Sequence, residues 1–226
     1  MIVILGIFLV ILVVYVPQIW IKYVFRKYSK PIEDLDGTGG ELAEHLVDRF
    51  ELEGVKVIQG LANEDYYNPA EKIISLSPDN YSGKSLTAVA VAAHEVGHAI
   101  QFCKKEPVSF LRERYMGKLS KIQRIGNILM IATIAATVII KIPHLFIIAA
   151  GIGIMTMLAS LSMYIAILPE EFDASFNKAL PILDEGYIDK QDIPAIKTIL
   201  RAAALTYVAA ALTNVINLWR WIRFLK

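Results

Sequence analysis

Three residues near the middle of the chain have the types and spacing to hold and use a metal ion. They are His94, Glu95 and His98, in Ala92-Ala93-His94-Glu95-Val96-Gly97-His98-Ala99. On a helix, positions i and i+4 share a face, so two imidazole nitrogens can converge on one ion. Glu95, about 100° further round, can reach a water on that ion without being a ligand. Zinc suits such a site, because it takes neutral nitrogen donors and keeps a position open for water. It lowers the pKa of that water toward about 7, and a neighbouring carboxylate accepts the proton. This is the physical content of an H-E-x-x-H helix. The competing reading, three polar residues on a greasy helix, leaves imidazoles and a carboxylate buried at a cost.

Zinc needs a third protein ligand. His45 falls on an amphipathic helix and reads as a surface residue, and His144 lies in a break between two apolar stretches. The remaining candidates are Glu170, Glu171 and Asp173, in Leu168-Pro169-Glu170-Glu171-Phe172-Asp173-Ala174-Ser175. Pro169 is expected in the first turn of a new helix, where acids are favoured. The residues alone leave open which acid binds, or whether all three only cap that helix.

The elements that must position these groups follow from periodicity and punctuation. Leu42, Leu46, Val47 and Phe50 at helical spacing predict a helix over 38–53, opened by Thr38 or Gly39. Residues 55–58 and 73–77 read as a pair of short strands, joined by a loop containing Asp65-Tyr66-Tyr67-Asn68-Pro69. Ser82 or Ser85 is expected to cap the zinc helix, which runs to Phe102. Residues 104–124 are rich in Lys and Arg and helical.

Composition places the whole in a membrane. Of the 226 residues 55% are hydrophobic and the mean hydropathy is +0.48, too apolar for an ordinary soluble domain. The net charge of +1 gives no argument for nucleic acid, and the single cysteine, Cys103, excludes an internal disulfide and fits a reducing compartment. Residues 1–21 read as a retained transmembrane anchor, with no basic start or small-residue cleavage site to mark a signal peptide. Lys22, Arg26, Lys27 and Lys30 follow it, and Arg112 to Arg124 precede the next apolar stretch, so 22–124 is expected in the cytoplasm. Residues 125–168 form a transmembrane hairpin broken at 141–144, with Gly151, Gly153, Ala159 and Ser160 as small residues for close packing. Residues 169–201 return to the cytoplasm, on the same side as His94. The apolar stretch 202–218, in the closing segment 202–226, either spans or lies along the membrane. The fold class expected is a mainly α, multipass cell-membrane protein with a small strand pair on the cytoplasmic side.

These motifs together resemble a family. Ser85-Leu86-Thr87-Ala88-Val89-Ala90-Val91-Ala92-Ala93 before His94, the Leu168–Ser175 stretch and Arg201-Ala202-Ala203-Ala204-Leu205-Thr206-Tyr207-Val208-Ala209-Ala210-Ala211-Leu212 are similar, in this order, to the YugP-type neutral zinc metallopeptidases of bacterial membranes. The layout is more distantly similar to the membrane-bound HtpX and CAAX-protease gluzincins. The resemblance implies a Glu-x-x-x-Asp motif whose glutamate is the third zinc ligand, which makes that ligand Glu171. Ser175 then stands where those families carry aspartate, and Asp173 is the candidate to replace it in orienting a zinc histidine. The resemblance also implies that the strand Ile73, Ile74, Ser75, Leu76 and Ser77 is an edge that pairs with extended substrate, and that Tyr67 or Tyr66 steadies the transition state.

The function expected is therefore that of an endopeptidase with one Zn2+ per chain, bound by His94, His98 and Glu171, with Glu95 as general base. Its partners are a protein or peptide substrate and the lipid bilayer, with no nucleic acid and no oligomeric state specified. The alternatives are a catalytically silent membrane scaffold or metal-binding module, and an intramembrane protease with the zinc helix inside a span. The latter helix is short and is flanked by Asp79, Lys84, Lys104 and Lys105.

Overall fold

The computed structural model describes residues 2–140, 144–209 and 212. The chain is mainly helical with one small sheet. In order the elements are α1 (Ile2–Lys27), α2 (Gly39–Arg49), β1 (Lys56–Gln59), β2 (Tyr66–Asn68), β3 (Ile73–Leu76), α3 (Pro78–Tyr81), α4 (Leu86–Cys103), α5 (Phe110–Ile140) and α6 (His144–Phe172). A π-helical segment (Asp173–Ala179), α7 (Leu180–Ile182), a second π-helical turn (Leu183–Tyr187) and α8 (Ile193–Ala204) complete it.

Two units divide the chain. One comprises 1–17, 111–167 and 207–226, and the other 18–110 and 168–206. All residues of the expected metal centre fall in the second unit.

In that unit, α4 is the central element. Every residue from Leu86 to Gln101 is buried, which the run of Ala and Val permits because small side chains let neighbours approach from all sides. Ser85 caps its first turn, its hydroxyl accepting from Ala88 N at 3.1 Å. The end of α1 is tied to it: Thr87 Oγ1 donates to the Phe25 carbonyl at 2.9 Å and Thr87 N to the Tyr28 carbonyl at 3.1 Å. Helix α2 packs beside it with Leu42, Ala43, Leu46 and Val47 buried. Thr38 and Glu41 form a reciprocal capping box at its start. Helix α2 ends at Arg49, earlier than periodicity alone implied, because Glu51 and Gly54 take positive φ (51° and 78°) and turn the chain into β1.

The sheet differs from the expected pair. It has three strands in the order β1-β3-β2, with β1 parallel and β2 antiparallel to β3. The stretch read as a loop supplies β2, whose alternation buries Tyr67 and exposes Tyr66. Asp65 secures its start, accepting from Ser77 N at 2.7 Å and Asn80 Nδ2 at 2.9 Å. The consequence is a correction. Ile73, Ile74, Ser75 and Leu76 form the middle strand, hydrogen-bonded on both sides, and Ser77 already caps α3. No substrate edge is available there, and the edges of this sheet are β1 and β2.

Pro169 also departs from expectation. It does not open a helix but lies inside α6. Proline in a helix interior forfeits one hydrogen bond and crowds the preceding turn, and the winding turns π-helical four residues later.

In the other unit, Gln123 Nε2 donates to Ser160 Oγ at 3.2 Å. A Cβ on Gly126 would meet Thr156 Oγ1 at 2.2 Å, so this glycine lets α5 and α6 touch. Gly151, expected to serve packing, has nothing within 4 Å of such a Cβ. The stretch 147–187 is the one candidate for crossing a membrane among the described residues. On α5 the apolar run begins only after Arg124, its first four turns carrying the basic residues. The break expected at 141–144 falls mostly outside the described residues, as does most of 202–218.

Candidate metal centre

His94 and His98 lie on one face of α4, one turn apart. Their rings meet edge to face, with centroids 4.7 Å apart at 79°. Glu171, in the last turn of α6, faces both. Its Oε2 is 3.5 Å from His94 Nε2 and 3.4 Å from His98 Nε2. The exposures are 4% for His94, 1% for His98 and 0% for Glu171, so the convergence lies in the interior. One donor atom from each lies within 4.8 Å of the others.

The donor set fits zinc. Four ligands about 2.1 Å from the ion at tetrahedral angles are about 3.4 Å from each other. The two nitrogen–oxygen separations match that edge, and they exceed the usual 2.7–3.2 Å of a good N–H···O hydrogen bond. Two neutral nitrogens and one carboxylate are also the right chemical types, with a fourth position left for water.

The close approach of the two segments depends on Gly97. A Cβ there would lie 2.7 Å from the Ala174 carbonyl oxygen and 3.2 Å from Ala174 Cα. Any other residue pushes α4 off the π-helical segment. Contact at this point brings the outer nitrogens of both histidines against partners. Ser175 Oγ is 3.0 Å from His94 Nδ1 and donates to the Leu200 carbonyl at 3.2 Å. Gln101 Oε1 is 3.0 Å from His98 Nδ1, while its Nε2 donates to the Glu170 carbonyl at 3.0 Å and to Asp173 Oδ2 at 2.8 Å.

The other expected residues separate into groups. Glu95 is buried beside the histidines, 6% exposed. Glu170 is buried too, but its Oε1 lies 3.9 Å from His98 Nδ1, the nitrogen on the other side of the ring from Glu171. Asp173 does not meet a histidine ring directly in this network; it reaches His98 through the Gln101 amide. Burial opposes ionisation of Asp173, yet hydrogen bonds from Gln101 and Asn177 and the nearby Lys178 ammonium outweigh it and hold the carboxyl below its ordinary pKa. Lys178 Nζ in turn pairs with Glu106 at 2.9 Å. Tyr67 packs on Phe102 near the end of α4, ring centroids 5.8 Å apart. Burial, and then the Cys103 thiol beside it, raise the pKa of its hydroxyl, so it is a neutral donor. His45 is on the surface, 2.7 Å from the Tyr187 hydroxyl.

Sequence reasoning named Gly97 among the small residues that admit neighbours to this helix, but it missed Gln101 and looked to Asp173 for the histidine contact that Ser175 makes. The available signals were spacings: Gln101 is three residues after His98 and Ser175 four after Glu171, each on a shared helical face.

Comparison with known proteins gives the family. No solved structure matches the chain. A relative from Bacillus subtilis (strain 168), described as "Putative membrane protease YugP", is 32% identical over 207 residues, covering 91% of this chain and 88% of the relative. A family model described as "Putative neutral zinc metallopeptidase" matches residues 2–226. With its whole length matched and its buried histidines and glutamate converging, the chain belongs to that neutral zinc metallopeptidase family.

Proposed function

We propose that the protein is a multipass membrane endopeptidase that hydrolyses peptide bonds with one zinc ion held by His94, His98 and Glu171. The observation that carries this reading is the approach of both Nε2 atoms to a single Glu171 oxygen at 3.4–3.5 Å. A bound zinc supplies a Lewis acid that makes water nucleophilic near neutral pH. Glu95, next to His94 and excluded from bulk water, takes the proton of the attacking water. It then delivers that proton to the leaving amine nitrogen. The buried position keeps its carboxylate close to the reacting atoms.

Extended substrate pairs with the outer edge of β2. In support, both sides of β3 are occupied, and β2 packs on α4 through Tyr67 and Phe102. Such pairing draws affinity from backbone groups, with side chains adding selectivity. Lipid surrounds the unit built on α5 and α6. Large apolar residues there face outward, among them Ile139 at 78% and Ile147 at 69% exposure, far more than a water-facing helix pair carries. The basic residues after α1 and at the start of α5 put the active site on the cytoplasmic side.

The test is Glu95→Gln in the purified full chain. The expected result is retained zinc and loss of casein or membrane-protein cleavage by at least about two orders of magnitude. Undiminished cleavage would remove Glu95 from the mechanism. A wild-type protein that holds zinc yet cleaves nothing would favour a silent metal-binding scaffold. Cysteine labelling at Lys84 and Lys104, exposed positions that flank the helix, distinguishes a cytoplasmic helix, labelled at both ends, from one within the bilayer.

A further inference from the structure

We propose that Gln101 and Ser175 are positioning residues that fix both histidines in the tautomer with a proton on Nδ1 and a bare Nε2. This rests on the metal-centre reading above and adds to it the groups that make the site ready for an ion. The argument is one of donors and acceptors. The Gln101 amide nitrogen has hydrogens and no lone pair. It faces two oxygens that can only accept, the Glu170 carbonyl at 3.0 Å and Asp173 Oδ2 at 2.8 Å. The amide is thereby oriented, and its oxygen is the atom 3.0 Å from His98 Nδ1. An amide oxygen cannot donate, so Nδ1 carries the hydrogen and Nε2 presents its lone pair toward Glu171.

Ser175 sets His94 by the same logic. Its hydroxyl has one hydrogen and lies between the Leu200 carbonyl at 3.2 Å and His94 Nδ1 at 3.0 Å. Turning the hydrogen to the ring would leave two oxygens facing each other across 3.2 Å with no proton between them. Turned to Leu200, it leaves a hydroxyl lone pair for the Nδ1 hydrogen. Both hydrogen-bond acceptors are neutral; the Glu170 carboxylate also faces His98 Nδ1, but its Oε1 lies 3.9 Å away, beyond hydrogen-bond reach. The carboxylate charge of Asp173 is held one amide away from His98, where it orients Gln101 instead of drawing on the imidazole proton. A histidine ligand's outer hydrogen bond fixes its ring and its basicity, and losing one typically costs 10–100-fold in metal affinity.

The experiment uses the full chain in detergent and reads zinc affinity by chelator competition, with the visible spectrum of the cobalt-substituted protein as a second signal. Gln101→Leu and Ser175→Ala should each weaken zinc about 10–100-fold and alter the cobalt spectrum. Independently of any variant, nitrogen-15 spectra of the zinc-loaded wild type should show both rings protonated at Nδ1. Rings protonated at Nε2, or zinc affinity unchanged in both single variants, would overturn the proposal and leave the metal centre standing. A wild-type chain that binds no zinc would overturn both.

Discussion

Gly97 on the zinc helix and Ala174 on the segment after Glu171 are in contact so close that no Cβ fits between them: it would lie 2.7 Å from the Ala174 carbonyl oxygen. The residue just before the second histidine of H-E-x-x-H thus has a steric task. It sets the distance over which Glu171 and Ser175 reach the two rings.

Gly97→Ala should accordingly separate the two segments. The expected cost is about 1–3 kcal/mol of stability, with a fall in zinc content measured on the purified chain. The control is Gly151→Ala, where a Cβ meets nothing. That substitution should leave the melting temperature equal or higher, since alanine exceeds glycine in a helix by up to about 1 kcal/mol.

Thr38→Ala removes the hydroxyl that accepts from Glu41 N at 3.2 Å and leaves only the other half of the capping box, the backbone N–H of residue 38 donating to the Glu41 carboxylate at 2.8 Å. Loss of the cap should cost about 1 kcal/mol, read as a lower thermal midpoint in detergent. Zinc affinity should stay unchanged, because α2 holds no ligand.

Asp65→Ala cuts the anchor between β2 and the turn into α3. Ser77 N loses its acceptor inside the protein, at a cost of about 1–3 kcal/mol. If substrate pairs with β2, KM for a peptide substrate should rise more than kcat falls. An equal drop in kcat with KM fixed would place substrate elsewhere.

What could be seen in the sequence was local. His94 and His98 needed only a helical repeat, and the cap at Ser85 and the buried face of α2 followed from residue type and spacing. Glu171 was legible through the motif around it. The sheet was not, because three residues with two aromatics and an asparagine between turn signals look the same in a loop and in a strand. The strand order depends on long-range pairing that alternation does not encode. The passage of α6 through Pro169 was hidden for a related reason: the proline's local preference for a helix start yields to the packing of the segment that carries Glu171. Gln101 was invisible because an amide states its role only when its neighbours are known.

The most direct test of the account is zinc-edge X-ray absorption on the purified full chain, beside the Glu171→Gln variant. The account predicts about one zinc per chain, with two imidazole nitrogens and one carboxylate oxygen near 2.0–2.2 Å, and marked loss of zinc in the variant. A wild-type protein without stoichiometric zinc, or a variant whose zinc and coordination are unchanged, would contradict it.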